Sequence, residues 1–500
     1  MKKIYPFDWQ VMHPNKMSAS TDRYYADIAN KVQKILCNCD LTETFYEDEN
    51  IRDASLRLTA WFEDVCSGFG FWRVVNETCM KRYGKLLPFY DTSDYVAGEP
   101  NLQDVKLMLW DIAQSLNGDR FINPENPGIA SAADMFFEIF DSEYETAPET
   151  AEVKEFLANP ALGTEYWTTR RAVEWLSQYG CFSFRSNCAF LEDIMRVEYE
   201  MSGKPAQKEW RRLYSYTASL LHVFNDRHNL LSLTAAEWLS AAIGRDFSFD
   251  SSLMSRLRAY DIDAHISSSL VLRDKITGEA RAVDDDSFDP KWLKKSGDKF
   301  GTSICCGLLR FNGNYYQCGP LLTNPTPADI EKQMEQTRQE DYLKQLSKEN
   351  YDEFYRASGG KHIVFMKGEK SLLDFYTKKL GIKMTADFEH QLKSVARENA
   401  ENGLLAMMVT PDRGFLTISS VIPAIKSPDN PYYNVEYAKK HAHELLLNVN
   451  AIDYSAICTL LKLNYLPDAA INSLQGYEHG RDFLHDNAQY IVDYMFAEHL

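Results

Sequence analysis

Residues 61–75 read WFEDVCSGFGFWRVV, and residues 83–95 continue as YGKLLPFYDTSDY. Trp61, Phe62, Phe69, Phe71, Trp72, Phe89 and Tyr90 crowd into this span beside Glu63 and Asp64. Large aromatics each bury much apolar area. The density predicts a packed structural centre with Trp61, Phe62, Trp72 and Phe89 in the core. It does not name a reaction.

On either side of this span the pattern is helical, from Thr21 to about Ile243. Tyr24, Tyr25, Ile28, Ala29, Val32, Ile35 and Leu36 recur at helical spacing behind a capping Thr21. Ile51, Ala54, Leu58, Trp61, Phe62 and Val65 repeat that logic, and Asn101 can cap a helix carrying Leu102, Val105, Leu109 and Ile112. Further amphipathic segments lie near Ser131 to Phe140, Thr164 to Tyr179, Ala189 to Tyr199, Gln207 to Asn225 and Thr234 to Ile243. Asn123-Pro124 and Asn126-Pro127-Gly128 mark joints.

The signal changes near Phe247. His265 to Leu272 and Ala280 to Val283 read as extended runs, and Ile304 to Phe311 and Tyr315 to Leu322 flank Asn312-Gly313. Asn-Gly is a strong hairpin signal because both central positions of a type I′ turn need positive φ. Thr326-Pro327-Ala328-Asp329 is a helix start, and a long charged helix follows it. Lys361 to Met366, Leu404 to Thr410 and Phe415 to Ile418 read as strands, with helices between and after them. The expected fold is mainly α and multidomain α+β. A helical domain spans 1–245, a small β-rich module 246–325, and an α+β domain ending in helices 326–500.

Five hundred residues exceed what one core usually spans. A net charge of −18 argues against a long basic groove, so nucleic acid is not an expected partner. The basic start Met1-Lys2-Lys3 is followed by no apolar run, so no signal peptide is expected. No stretch approaches the ~18 apolar residues of a membrane span. The ten cysteines are scattered without a Cys-x-x-Cys pair. Free thiols in a reducing, cytoplasmic setting are therefore expected, without zinc.

Several short patterns resemble one bacterial family. They are Asp8-Trp9, His13-Pro14, Thr21-Asp22-x-Tyr24-Tyr25, Ala29-Asn30, Trp61-Phe62-Glu63-Asp64, Trp72, Tyr83-Gly84 and Leu87-Pro88-Phe89-Tyr90. Asn101, Asp104, Trp110, Asn123-Pro124 and Tyr144-Glu145-x-Ala147-Pro148 continue the set, with Ile425-Lys426-Ser427-Pro428-x-Asn430-Pro431 and Asp486-Asn487 near the end. Together they resemble the family known as domain of unknown function 3843. The resemblance implies no activity, cofactor or catalytic residue.

Candidate chemistry is sparse. Acid–base work needs carboxylates that converge on one cleft. Neighbours on a helix diverge by about 100°, so at most one of Glu63 and Asp64 faces the aromatic centre. The bland expectation is a buried carboxylate satisfied by backbone or by Arg73. Asp284-Asp285-Asp286 reads as a solvated acidic turn. His441 and His443 point to different sides of a helix, and His479, Asp482 and Asp486 read as a polar helix face. His222 and His228 flank Asn225 and Asp226 at a helix end. There is no Gly-x-Ser-x-Gly elbow and no phosphate loop, so neither a cofactor nor a metal is expected.

Two function classes follow. The leading one is a non-catalytic interaction or adaptor protein with a protein partner, for which Tyr315 and Tyr316 are the candidate binding residues. One of the two is expected inward and one at the surface. The alternative is an enzyme whose junctional site draws on Glu63, Asp64, Tyr83 or Tyr144. A nucleic-acid role for the β module would need Tyr315, Tyr316 and Arg310 on one exposed face.

Overall fold

The computed structural model describes residues 2–39, 41, 47–117, 121–184, 190, 194–195, 199, 208–254, 257–296, 302–394, 396, 401–410, 413–441, 444–449, 451–467 and 480–497. The chain divides into two compact units, residues 1–118 with 122–338 and residues 119–121 with 339–500. The change from helix to strand expected at 245 falls inside the first unit. The division itself falls within the long charged helix.

Among the described residues, the first unit includes the helices α1 (Pro6–Trp9), α2 (Asp22–Leu36), α3 (Asp48–Ser67), α4 (Phe71–Tyr83), α5 (Leu102–Leu116), α6 (Pro127–Tyr144), α7 (Ala151–Ala158), α8 (Tyr166–Tyr179), α9 (Lys208–Phe224) and α10 (Ala235–Ile243). Most of the helix expected at Ala189 to Tyr199 lies outside the described residues. Ring contacts run through the core from Trp9 to Tyr25 (5.8 Å), Tyr25 to Phe62 (6.4 Å), Phe62 to Phe140 (4.9 Å), Phe140 to Trp61 (5.4 Å) and Trp61 to Trp72 (6.0 Å). This ladder ties α1, α2, α3, α6 and α4 together. Trp61, Phe62, Trp72 and Phe89 are all buried, so the aromatic stretch is the core the sequence implies.

Two caps differ from expectation. The Thr21 side chain does not cap α2; its hydroxyl meets Thr150 Oγ1 at 2.8 Å. Asn101 does not cap α5 either, because its amide is turned to the loop before it.

After a short antiparallel ladder of β1 (Arg227–His228) and β2 (Leu233–Thr234), the strands β3 (Phe249–Asp250), β4 (Arg258–Ile266), β5 (Ser269–Asp274), β6 (Ala280–Asp284), β7 (Ser303–Phe311) and β8 (Asn314–Leu322) form one sheet in the order β3-β7-β4-β5-β6-β8. Pairing of β7 with β8 closes five of them into a barrel, β4-β5-β6-β8-β7, with β6 and β8 parallel and helix α11 (Pro290–Ser296) between β6 and β7. A five-stranded Greek-key barrel of this order is the OB topology. Tyr260, Ile262, Leu270, Leu272, Val283, Ile304, Cys306 and Leu308 fill its interior. The extended run His265 to Leu272 is divided between two strands by a turn at Ser267, which takes φ 55°. A Ser-Ser turn carries none of the Gly or Asn chemistry that marks a hairpin. At Asn312-Gly313 that chemistry is present, and the two φ values, 47° and 91°, are those of the expected turn.

Gly307 in β7 lies at a register shift. A Cβ there would sit 2.5 Å from the Met254 carbonyl oxygen and 2.6 Å from that of Cys318, so only glycine fits.

Helix α12 (Pro327–Ala357) opens with a reciprocal cap: Asp329 Oδ2 accepts the Thr326 N–H at 2.9 Å, and Thr326 Oγ1 accepts the Asp329 N–H at 3.2 Å. The second unit holds a three-stranded antiparallel sheet, β11-β10-β9, from β9 (Ile363–Lys367), β10 (Leu404–Thr410) and β11 (Gly414–Ile418). β10 is buried along its whole length. The Asn430 side chain fastens the loop of the Lys426-Ser427-Pro428 pattern by donating to the Ile422 and Ile425 carbonyls at 2.9 and 2.8 Å. The described cysteines are free thiols. Among the described residues no helix is long and apolar enough to cross a membrane.

Candidate functional site

The turn Gly68-Phe69-Gly70 joins α3 to α4, and both glycines take positive φ, 67° and 95°. That turn folds the start of α4 back over the end of α3. Asp64 therefore reaches the first amides of α4, its Oδ1 accepting from Gly70 N at 2.8 Å and Phe71 N at 3.2 Å and its Oδ2 from Trp72 N at 2.6 Å. A carboxylate on a helix N-terminus is favoured by both the orphan amides and the dipole. Burial pushes the Asp64 carboxyl up to about 6, against the pull of those three amides.

Glu63 points elsewhere, as the helical divergence requires. Its Oε2 lies 3.0 Å from His13 Nε2, and Thr150 Oγ1 donates to its Oε1 at 2.5 Å. His13 Nδ1 is 3.5 Å from Asp22 Oδ1, and Gln10 Nε2 donates to Asp22 Oδ2 at 2.9 Å. All four of His13, Glu63, Asp22 and Thr150 are buried. This is a polar lock between the N-terminal segment, α2, α3 and the start of α7. Burial opposes the charge on His13, yet Glu63 and Asp22 raise its pKa on balance.

A cavity of about 790 Å³ opens beside Asp64, walled by the end of α3, by α4 and by a strap of residues 95–99. Val65, Trp72, Met80, Leu86 and Ala97 give it an apolar lining; Asp64, Asn76 and Tyr95 add polar groups, and Arg73, Glu77, Lys81 and Glu99 add charge. The strap is held firmly. Asn101 accepts the Val96 N–H at 2.9 Å and donates to the Val96 and Glu99 carbonyls at 2.9 and 2.8 Å. Tyr144 donates to the Gly98 carbonyl at 3.2 Å.

Behind the strap stands Asp104, wholly buried. Tyr95 Oη is 2.9 Å from Asp104 Oδ1 and 3.0 Å from Asn76 Oδ1. The Trp72 indole N–H stands beside Asp104 and Tyr95 without meeting hydrogen-bond geometry. Burial pushes the Asp104 carboxyl up to about 7, with Trp72, Tyr95 and Asn101 pulling the other way. Burial, with the Asp104 charge, also raises the Tyr95 phenol.

The candidates from sequence thus scatter. Asp64 lines the cavity and Glu63 does not. Tyr144 acts through the strap, and Tyr83 closes α4, half-buried and away from the lining. Arg73 pairs with Glu77 at 2.8 Å and donates to the Ala242 carbonyl at 2.9 Å, so it satisfies neither Glu63 nor Asp64. Tyr316 stacks on Tyr166 of α8 with centroids 3.7 Å apart, and Tyr315 lies under Arg281 and Arg310. Both tyrosines are half-buried. Asn76, Tyr95 and Asp104 are what sequence reasoning passed over. Asn101 and Asp104, three apart at a helix start, look like an ordinary cap.

The remaining clusters have local partners. Asp284 accepts the Asp286 N–H at 3.1 Å, and Asp285 lies 2.9 Å from His265. His441 lies 3.0 Å from Glu444, and His222 lies 3.1 Å from Asp226. His228 is buried, and that burial drives its pKa down to about 3. His443 and His479 lie outside the described residues.

The family described as "Protein of unknown function (DUF3843)" matches residues 3–282 and 327–497, and the chain belongs to that family. The unmatched stretch between carries β7 and β8 of the barrel. No curated protein and no solved structure matches the chain.

Proposed function

We propose that this DUF3843 protein holds a small organic molecule in the cavity between α3, α4 and the strap, and acts on it there. The observation that carries this reading is the convergence of Asp64 and the Asp104–Tyr95 pair on one apolar cavity of about 790 Å³. Ligand sites have this size and makeup, an apolar wall with few placed polar groups. A wholly buried carboxyl is costly to keep in a core, and perturbed carboxyls beside a cleft mark functional sites. Three further polar side chains, Asn101, Asn76 and Tyr144, are committed to holding that wall. This reading places the site within the helical segment and uses Asp64 from the candidates named by sequence.

A fragment screen by ligand-observed NMR tests it. Ala97 is exposed and lines the cavity, so Ala97→Trp fills the space without entering the core. Fragments that bind the wild-type chain should be lost in Ala97→Trp. Equal binding to both would remove the cavity as the binding site.

The adaptor reading keeps one specific observation in its favour. Tyr5 and Phe7 are 45% and 63% exposed and stack at 6.0 Å near the N-terminus. Nucleic acid gains little support from the barrel. On the outward positions of β4, Asp261 pairs with Lys275, Asp263 with Arg273 and His265 with Asp285. Single-strand binding needs stacking rings and unpaired cations.

A further inference from the structure

We infer that the cavity takes a neutral molecule bearing a carbonyl or similar oxygen acceptor, which Tyr95 bonds while a protonated Asp104 donates to Tyr95 from behind. The inference rests on the reading of the cavity as a small-molecule site and names the ligand class.

Tyr95 Oη lies between two acceptors, Asn76 Oδ1 at 3.0 Å and Asp104 Oδ1 at 2.9 Å. One hydroxyl hydrogen cannot serve both. Turning the Asn76 amide over would not help, because its Nδ2 donates to the Leu86 carbonyl at 3.3 Å and the flip would set two oxygens against each other there. The second proton therefore belongs to Asp104. Among the described residues, Trp72 from α4, Tyr95 from the strap and Asn101 from the start of its own helix face Asp104; none of these carries a charge. Burial raises its carboxyl to about 7, which agrees with a bound proton.

The result is a directed chain, Asp104 to Tyr95 to Asn76. A ligand oxygen entering the cavity competes with Asn76 Oδ1 for the Tyr95 hydrogen. Donation from Asp104 strengthens the bond Tyr95 makes, since linked hydrogen bonds polarise one another. The lining's charges are largely engaged: Asp64 by three backbone amides, Glu77 by Arg73. Among the described residues of the lining no pair of free cations faces an incoming anion, and the net acidic wall disfavours one. An ammonium group has no lone pair to accept the Tyr95 hydrogen, so a neutral acceptor is what remains.

The experiment uses the full chain and three probes of one size: acetophenone, benzoate and benzylamine, titrated by NMR. Acetophenone should bind best and weaken as pH rises through about 7, when ionised Asp104 draws the Tyr95 hydrogen back to itself. Tyr95→Phe should weaken it by about tenfold. Asp104→Asn, whose amide still donates to Tyr95, should keep binding and lose the pH dependence. Circular dichroism checks that each variant folds, and the wild-type pH profile stands without any variant. Preference for benzylamine or benzoate would overturn the ligand class and leave the cavity as a site. Acetophenone binding unaffected by Tyr95→Phe or by pH would overturn the Asp104–Tyr95 role. Binding of none of the three would overturn this inference together with the small-molecule reading.

Discussion

The Asp64 carboxylate accepts the Trp72 backbone N–H at 2.6 Å and so fastens the first turn of α4 to the last turn of α3. The contact sits between the aromatic core and the cavity. Asp64→Ala strips acceptors from three amides at once and should cost ~1–3 kcal/mol. Asp64→Asn keeps one oxygen and should cost less. Urea unfolding of the two variants checks the order; equal losses would show that the packing of Asp64, and not its oxygens, matters.

His13 lies between Glu63 and Asp22 in the buried lock. Removing it leaves two buried carboxylates without their partner, so His13→Ala should cost ~3–5 kcal/mol. His13 has a raised folded pKa, so its stabilisation is full below the unfolded value of 6.5 and fades as pH rises through the folded value. Unfolding midpoints measured across that range should fall for the wild type and change less for His13→Gln.

Asp104 carries the same sign for a different reason. Its folded carboxyl, near 7, lies above the ordinary value of 3.8, so the folded state binds the proton more tightly. Its contribution to stability should decline as pH rises from about 4 to about 7. Asp104→Asn cannot ionise and should flatten this part of the pH–stability curve. A variant curve parallel to that of the wild type would mean that Asp104 is ionised throughout.

At Gly307 a side chain on the barrel strand β7 would run into the Met254 and Cys318 carbonyls. Gly307→Ala forces a shift of the Met254 or Cys318 backbone and should cost ~1–3 kcal/mol. Gly313→Ala has open space around its Cβ and strain from φ alone, so it should cost less. Thermal melts of both variants compare them.

Much of this was legible in sequence because local chemistry and tertiary structure agreed. Aromatic density gave the core through Trp61, Phe62, Trp72 and Phe89, and Asn312-Gly313 gave the hairpin. Where the two diverged, the reading failed. Thr21 and Asn101 carry cap chemistry, but partners far away or in the preceding loop took their side chains. The Ser267 turn lacks a turn signature, and the joining of β6 to β8 in the barrel is a parallel pairing that no local pattern encodes. The split of Glu63 and Asp64 to opposite sides followed from helical geometry, whereas the partner of each did not. Tyr95 and Asp104 meet only because the strap folds back over α5, so neither residue type nor spacing marked them.

The most direct test of the cavity as a ligand site is the indole N–H resonance of Trp72, identified by its loss in Trp72→Phe. This N–H stands beside Tyr95 and Asp104 at the cavity wall. Fragments found by screening should shift that resonance in the wild-type chain and leave it unmoved in Ala97→Trp. Fragments that bind the wild type while the Trp72 resonance stays fixed would contradict the cavity's role.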